Sequence, residues 1–249
     1  MKRSRYLVIS DIHANEAALS AVLRFVKRRR YEAVLCMGDL VGYGASPNPV
    51  IHRLKALKHF KAVRGNHDKV CLGVENGDNF NTSARLAIMW TREKLTPINR
   101  AFLASLPKGP LEVLPGIVIA HGSTVHEDTY IFSEFDGREA FEARPFKLCF
   151  IGHTHYPSYF VLKGNSLDCV SVKEPNLVLD LDPDARYLVN PGSVGQPRNR
   201  NPMASFAEYY TDPQRIVFRA IPYDIEAAAE KIRRAGLPES LWKRLQVGS

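Results

Sequence analysis

Cysteine is scarce in this chain, with four among 249 residues, at positions 36, 71, 149 and 169. No two of them form a C-x-x-C pair, which argues against a zinc ribbon or a thioredoxin-like motif. So low a density in a chain of this length does not make a disulfide framework. Cys36 and Cys149 lie inside apolar runs and read as buried, reduced thiols. Long apolar runs are also missing: none approaches the roughly 20 residues of a membrane span. The N-terminal MKRSRYLVIS offers only a four-residue apolar run before Asp11, short of the roughly 7–15 of a signal peptide. A cytoplasmic protein with no membrane contact is therefore expected. Gly and Pro, at 16 each, are too few for a collagen-like or low-complexity chain. No internal repeat or linker divides the sequence, so one domain over residues 1–249 is expected.

Basic charge is what the chain has in excess. Lys plus Arg is 34 against 26 Asp plus Glu, a formal net charge of +8. Hydrophobic residues at 45% and charged residues at 24% are ordinary for a soluble globular protein, with enough apolar surface to offset ordering entropy. The basic balance points to an anionic partner: a phosphate ester, a nucleotide, nucleic acid or an acidic membrane. The run Lys27–Arg30 reads as a solvated helix end whose cations complement the helix dipole. There is no basic groove interleaved with aromatics and no RRM, KH or zinc-finger signature, so nucleic acid is not the expected partner. Exposed Phe, Tyr and Trp could support a homodimer, which periodicity alone does not establish.

The apolar pattern predicts strands at Tyr6–Ser10, Ala33–Met37 and Phe60–Val63, alternating with helices at Glu16–Arg29 and Pro49–Leu57. That β-α-β-α-β order predicts a parallel sheet with helices on its faces. Helical spacing at Thr82–Leu95 and Pro97–Ser105 predicts a helical cap inserted at about residues 80–107. A hairpin follows at Leu111–Ala120, turning at Pro115-Gly116, then a strand at Leu148–Ile151. From Ser158 to Ile221 the pattern is mostly β, and two short helices, Ile225–Ala235 and Glu239–Leu245, close the chain.

Five short islands carry His, Asp or Asn immediately after an apolar strand: Asp11-Ile12-His13, Gly38-Asp39, Gly65-Asn66-His67-Asp68, His121-Gly122 and Gly152-His153-Thr154-His155. In a parallel α/β sheet the residues just beyond the strand C-termini line the ligand crevice, so these side chains should converge. In extended chain, residues two apart point the same way, which would pair Asp11 with His13 and His153 with His155. Asp11, His13, Asp39, Asn66, His121, His153 and His155 are too many ligands for one ordinary site. They suit two metals about 3.5–4 Å apart with a shared carboxylate. The mix of imidazole and carboxylate favours Mn, Fe, Zn, Co or Ni over Mg or Ca.

This ordered set, D-x-H, G-D, G-N-H-D, H-G and G-H-T-H, resembles the calcineurin-like metallophosphoesterase superfamily. The strings GDLVGYGASPN and NPGSVGQPR resemble its small single-domain prokaryotic phosphatases and phosphodiesterases. The resemblance runs from about Asp11 to Arg198. It implies an α/β fold of mixed β-sheets packed as a sandwich with helices on the outer faces (αββα). It implies one metal held by Asp11, His13 and His155, a second by Asn66, His121 and His153, and Asp39 bridging both. These would be two divalent or mixed-valence ions, with manganese expected. A hydroxide bridging the metals would attack phosphorus in a phosphate mono- or diester, including nucleotide-type and dinucleoside polyphosphate substrates. His67 would serve as general acid or as a donor to developing charge, and Asp68 would orient it.

Arg198 is a candidate phosphate clamp and Tyr43 a candidate stacking residue for a base or aryl group, beside Asn66 in contact with substrate. The family pattern carries an Asp after this arginine, where the chain has Asn199. Asn190, Gly192 and Ser193 read equally as turn chemistry. His52, His59 and His126 fall outside the motifs and read as structural or surface residues. A nuclease of the same superfamily is an alternative, but only two short helices remain beyond about residue 222 for DNA binding. A non-catalytic protein-binding scaffold is a weaker one, because relatives of that kind have lost ligands and all seven positions are filled here.

Overall fold

A computed structural model describes residues 4–249. The basic N-terminal residues Lys2 and Arg3, weighed above as part of a leader, lie outside the described residues. The elements in order are β1 (Arg5–Ile9), α1 (Glu16–Val26), β2 (Ala33–Cys36), α2 (Pro47–Lys55), β3 (Phe60–Ala62), α3 (Asn66–Leu72), α4 (Thr82–Lys94) and α5 (Pro97–Ala104). There follow β4 (Leu111–Leu114), β5 (Ile117–Ile119), α6 (Glu134–Ala143), β6 (Leu148–Phe150), β7 (Ser158–Lys163), β8 (Ser166–Ser171) and β9 (Val178–Asp180). The chain ends with β10 (Arg186–Asn190), β11 (Ala204–Thr211), β12 (Gln214–Ile221), α7 (Ile225–Arg234) and α8 (Glu239–Val247).

The strands form two six-stranded sheets, ordered β3-β2-β1-β11-β12-β9 and β4-β5-β6-β10-β7-β8. Each sheet has a set of three parallel strands, β3-β2-β1 at one edge of the first and β5-β6-β10 in the middle of the second. Each then continues through antiparallel strands, among them the hairpins β11–β12 and β7–β8. The single parallel sheet read from the β-α-β-α-β pattern is therefore half of one mixed sheet, and the sandwich implied by the resemblance is what forms. The cause is the period-2 alternation of the strands. In β1, Tyr6 and Val8 face the second sheet with Leu35, Ile119, Phe150, Val189 and Phe218. Leu7 and Ile9 face outward, against Leu19 and Val22 of α1 and Val50 and Leu54 of α2. On the far side, Val118, Cys149 and Leu188 pack under Phe141 of α6. The result is four layers, α/β/β/α. Among the described residues no helix is long and apolar enough to cross a membrane.

Helix α6 was not foreseen. Ser133 and Asp136 form a reciprocal N-terminal cap, but the segment's apolar residues are too few and too scattered to announce a helix. Helix α1 stops at Val26 rather than Arg29. The basic run after it is not simply solvated: Arg29 Nη1 lies 2.7 Å from Glu208 Oε2. Glu208, fully buried on β11, also accepts from Tyr31 Oη at 2.7 Å and from Arg219 Nε at 2.8 Å. One buried carboxylate thus ties the α1–β2 connection to the β11–β12 hairpin.

Burial alone would raise the Glu208 carboxyl, but the bonds from Arg29, Tyr31 and Arg219 hold it below its ordinary value of 4.5. A depressed folded-state pKa means this stabilisation is present above that value and disappears as pH falls below it. Glu208→Gln should cost roughly 2–4 kcal/mol at neutral pH, the cost of breaking a buried pair discounted for the partly exposed guanidiniums. In urea unfolding, the gap between wild type and variant should narrow as pH drops below about 4.5. A gap that is absent at pH 7, or unchanged in acid, would mean that the cluster is inert.

Candidate metal centre

Each of the seven expected ligands leaves the C-terminal end of a parallel strand, and both sheets contribute. Asp11 and His13 follow β1, Asp39 follows β2 and Asn66 opens α3 just after β3. His121 follows β5, and His153 and His155 follow β6. Donor atoms of Asp11, His13, Asp39 and His155 all lie within 4.8 Å of one another. Those of Asp39, His121 and His153 do so as well, which makes Asp39 common to both groups. Asn66 joins the second group, its Oδ1 lying 3.0 Å from His121 Nε2. Six of the seven side chains are no more than 4% exposed.

The imidazole hydrogen bonds decide what these groups present to one another. His13 Nδ1 is 3.1 Å from the Val41 carbonyl, His121 Nδ1 is 2.7 Å from that of Met37, and His155 Nδ1 is 2.5 Å from that of Gln196. His153 uses its other nitrogen, Nε2, 3.1 Å from the Asp128 carbonyl. A carbonyl only accepts, so each of these nitrogens carries the proton, and the opposite nitrogen of each ring presents a lone pair. His13 Nε2 and His155 Nε2 then face each other as two acceptors 3.1 Å apart. Asp11 Oδ1 is 3.4 Å from His155 Nε2, and Asp39 Oδ2 is 3.5 Å from His13 Nε2. It is also 3.6 Å from His121 Nε2. Lone pairs this close, out of water, fit divalent cations and little else.

Burial raises the Asp11 and Asp39 carboxyls, and at Asp39 the neighbouring charges of Asp68 and Asp11 add to it. Burial likewise pulls His13, His67, His121, His153 and His155 below the ordinary imidazole value. The Arg198 guanidinium deepens that shift at His13, His67, His153 and His155. Neutral imidazoles are the form that binds metal, and a bound cation would offset the penalty on the carboxylates.

The extended-chain account of the D-x-H and H-T-H pairs is corrected by the backbone. Asp11, His13, Asp39, His153 and His155 all have positive φ, between 48° and 67°. Left-handed residues in tight loops, not a strand's alternation, aim these side chains. Such conformations cost of order 1–3 kcal/mol each and persist where surroundings over-determine them. Two glycines make the convergence possible sterically. A Cβ at Gly65 would fall on the Asp39 carboxylate, and one at Gly152 on Ser10 Oγ and Asp11 Oδ2.

His67 sits beside the centre, 4% exposed, with its ring 4.4 Å from Tyr43, 4.5 Å from Phe80 and 4.8 Å from His13. Its Nδ1 is buried without a hydrogen-bond partner. Asp68 does not orient it. Both Asp68 oxygens are taken by backbone amides, Oδ1 by Leu40 and Val41 at 3.0 and 3.2 Å and Oδ2 by Gly65 at 3.0 Å. Asp68 therefore ties the loop after β2 to the start of α3. Tyr43 also departs from expectation: it is 7% exposed, with its ring against His13 and His67, so it has no open face for a base. Its hydroxyl instead lies 3.4 Å from Arg198 Nη2, which also reaches Gln196 Oε1 at 3.2 Å. Arg198 Nε and Gln196 Nε2 are buried donors without partners, suited to an anion.

Several supporting roles escaped the sequence reading. Asn190 donates to the Gly152 carbonyl at 2.8 Å and to Thr154 Oγ1 at 3.0 Å, and Ser193 Oγ donates to the Asp11 carbonyl at 2.7 Å. These turn residues brace two ligand loops, a role that needs the fold to be seen. Lys69 is a 1%-exposed lysine on α3, bonded to Asp128 at 2.5 Å, Glu75 at 2.7 Å and Glu127 at 3.2 Å. Arg64 joins the cluster through Glu127 at 3.0 Å. Lys69 directly follows the G-N-H-D island, and a lone charged residue there gives no sign of burial. His52, His59 and His126 are exposed and outside the centre.

An open cleft of about 990 Å³ reaches the centre at Asn66 and His153, lined also by Tyr130 and by Arg85 and Met89 of α4. Comparison with known proteins agrees with this geometry. The family model of the Calcineurin-like phosphoesterase superfamily domain matches residues 5–212. The chain is 38% identical over 252 residues to the uncharacterized protein MJ0912 of Methanocaldococcus jannaschii, covering all of both chains. It is similar to the crystal structure of a metallophosphoesterase from Sphaerobacter thermophilus, with a TM-score of 0.85, 37% identity and 99% of each chain covered. The fold is shared with the hypothetical protein PH1004 from Pyrococcus horikoshii OT3, at a TM-score of 0.79, 23% identity and 99% of each chain. With its ligand islands converged at the ends of the parallel strands and its whole length matched, the chain belongs to the calcineurin-like phosphoesterase superfamily.

Proposed function

We propose that this protein is a dinuclear metal-dependent phosphoesterase that hydrolyses phosphate mono- or diesters. The observation that carries the reading is the set of four imidazoles whose carbonyl bonds turn their lone pairs onto two groups of donors sharing Asp39. Asp11, His13 and His155 would hold one ion, Asn66, His121 and His153 the other, with Asp39 between them. The imidazole-rich set suits manganese, iron, zinc, cobalt or nickel, and manganese is the proposed resident. Such ions, when bound, supply Lewis acidity and bring the pKa of coordinated water toward neutrality.

The chain's own residues supply the rest. The free donors of Arg198 and Gln196 bind phosphoryl oxygens, and the Tyr43 hydroxyl and ring hold the guanidinium in place. His67, kept neutral by its buried aromatic surroundings, donates an N–H to the leaving oxygen or to developing charge. Helix α4 closes the far wall of the cleft as the cap. Among the described residues the cysteines are all free, three of them buried, a pattern that supports a reducing, cytoplasmic setting.

Chelation should abolish hydrolysis of bis(p-nitrophenyl) phosphate or p-nitrophenyl phosphate, and Mn²⁺ should restore it; full activity in chelator would sink the reading. His67→Ala should lower kcat by about 10²–10⁴-fold, the usual contribution of a positioned acid, while bound metal measured by elemental analysis stays at the wild-type level. Lys69→Met should weaken binding of one of two Mn²⁺ ions by about 10–100-fold, as losses in the surroundings of a ligand do. Lys69 holds Asp128, whose carbonyl fixes His153. Equilibrium dialysis checks this, and two equally tight ions in the variant would refute the link.

A further inference from the structure

Three exposed aromatic rings run outward from the metal centre, and neither the ligand set nor the proposed phosphate donors account for them. Tyr130 lies flat on His153, centroids 3.8 Å apart and planes 14° apart. Phe132 continues the row, 5.4 Å from Tyr130 and 16° from parallel. Tyr156 meets Phe132 edge-on at 6.2 Å and 72°. Their exposures are 44%, 58% and 43%. Single exposed aromatics are ordinary, but a contiguous row beside a site marks a binding surface.

The row is also held in place. The Arg198 guanidinium acts on the Tyr130 hydroxyl, offsetting part of the rise that burial imposes on its pKa. The backbone of Phe132 donates to Asp136 Oδ2 at 2.9 Å, part of the α6 cap. The Tyr156 amide donates to Thr154 Oγ1 at 3.2 Å, next to His153 and His155. The loop before Tyr130 is pinned through Glu127 and Asp128 to buried Lys69. Rings fixed before the ligand arrives lose little entropy on binding. Tyr130 and His153 line the same cleft as Asn66, and Phe132 and Tyr156 continue the row from Tyr130. Flat, weakly polar faces recognise another flat π-system, and stacking is the interaction they offer.

We propose that Tyr130, Phe132 and Tyr156 form a stacking subsite for the planar group of the substrate, so that the enzyme prefers phosphate esters bearing a nucleobase over esters of the same sugar without one. The proposal rests on the phosphoesterase reading for its anchor, the phosphate, and adds the chemistry of the other end. It also moves the base-binding role assigned to Tyr43 by sequence to rings with exposed surface.

The test compares AMP with ribose 5-phosphate, which differ only by the base, by calorimetric binding to the Mn²⁺-loaded protein. AMP should bind roughly tenfold tighter or more, the scale of one base–aromatic contact. The ratio should collapse toward one in the double variant Phe132→Ser/Tyr156→Ser, whose exposed positions spare the fold. Equal affinities in wild type overturn the proposal, as does a ratio that survives in the variant. A variant that changes the oligomeric state but not the ratio assigns the row to a second copy of the chain and overturns it too. Metal-dependent hydrolysis of bis(p-nitrophenyl) phosphate with equal affinities would fail the subsite alone. A clear AMP preference without hydrolysis of any ester would fail the phosphoesterase reading alone.

Discussion

The structure depends on a concentration of lone pairs that water does not reach. His13 and His155 turn acceptor nitrogens toward each other, and two buried carboxylates, Asp11 and Asp39, face the same space. No arrangement of protein atoms alone makes that favourable, since buried charges need partners. Every other feature of the centre serves to hold this arrangement: carbonyls that fix tautomers, glycines that admit the carboxylates, and left-handed residues that aim the side chains. The strain is local. It is offset by the sandwich core and by any cation the site binds, because binding to the native state alone adds stability.

The sandwich is what brings the donors together. Each sheet carries a short parallel set, and the C-terminal ends of both sets open on the same crevice. One sheet delivers Asp11, His13, Asp39 and Asn66, and the other delivers His121, His153 and His155. Asp39 stands where the two contributions meet, common to both groups of donors. Glu208 repeats the motif of a buried carboxylate far from the chemistry, but there its cations are the chain's own arginines. The contrast is informative: where the protein completes its ion pairs the site is structural, and where it leaves only acceptors it is open for metal.

Much of this was legible in the sequence, for a physical reason. A strand must be apolar to be buried, so polar residues directly after it stand out, and all seven donors were found in that position. What was not legible depends on tertiary partners. Asp68 reads like an orienting carboxylate but is consumed by three backbone amides. Tyr43 reads like a stacking ring but is sealed between His13 and His67. Helix α6 is too weakly patterned, and the mixed sheets arise from pairings between strands more than two hundred residues apart, as Arg5 with Tyr210. Lys69 and Tyr130 sit beside motif residues, yet burial of the one and exposure of the other follow from loops that no periodicity describes.

Charge, the excess that first pointed to an anion, acts here by placement rather than by sum. The net +8 includes Arg29 and Arg219, which are consumed by Glu208, and Arg64 and Lys69, which are consumed by Glu127 and Asp128. Arg198 differs, because its Nε is buried without a partner and its field reaches Asp11 and four of the imidazoles. A cation in that position opposes metal binding and favours anion binding. In the proposed enzyme the two effects would be reconciled with metal and phosphate present together, since an anion beside the guanidinium would weaken its repulsion of a cation. On that reading the centre would favour the two ligands together over either one alone.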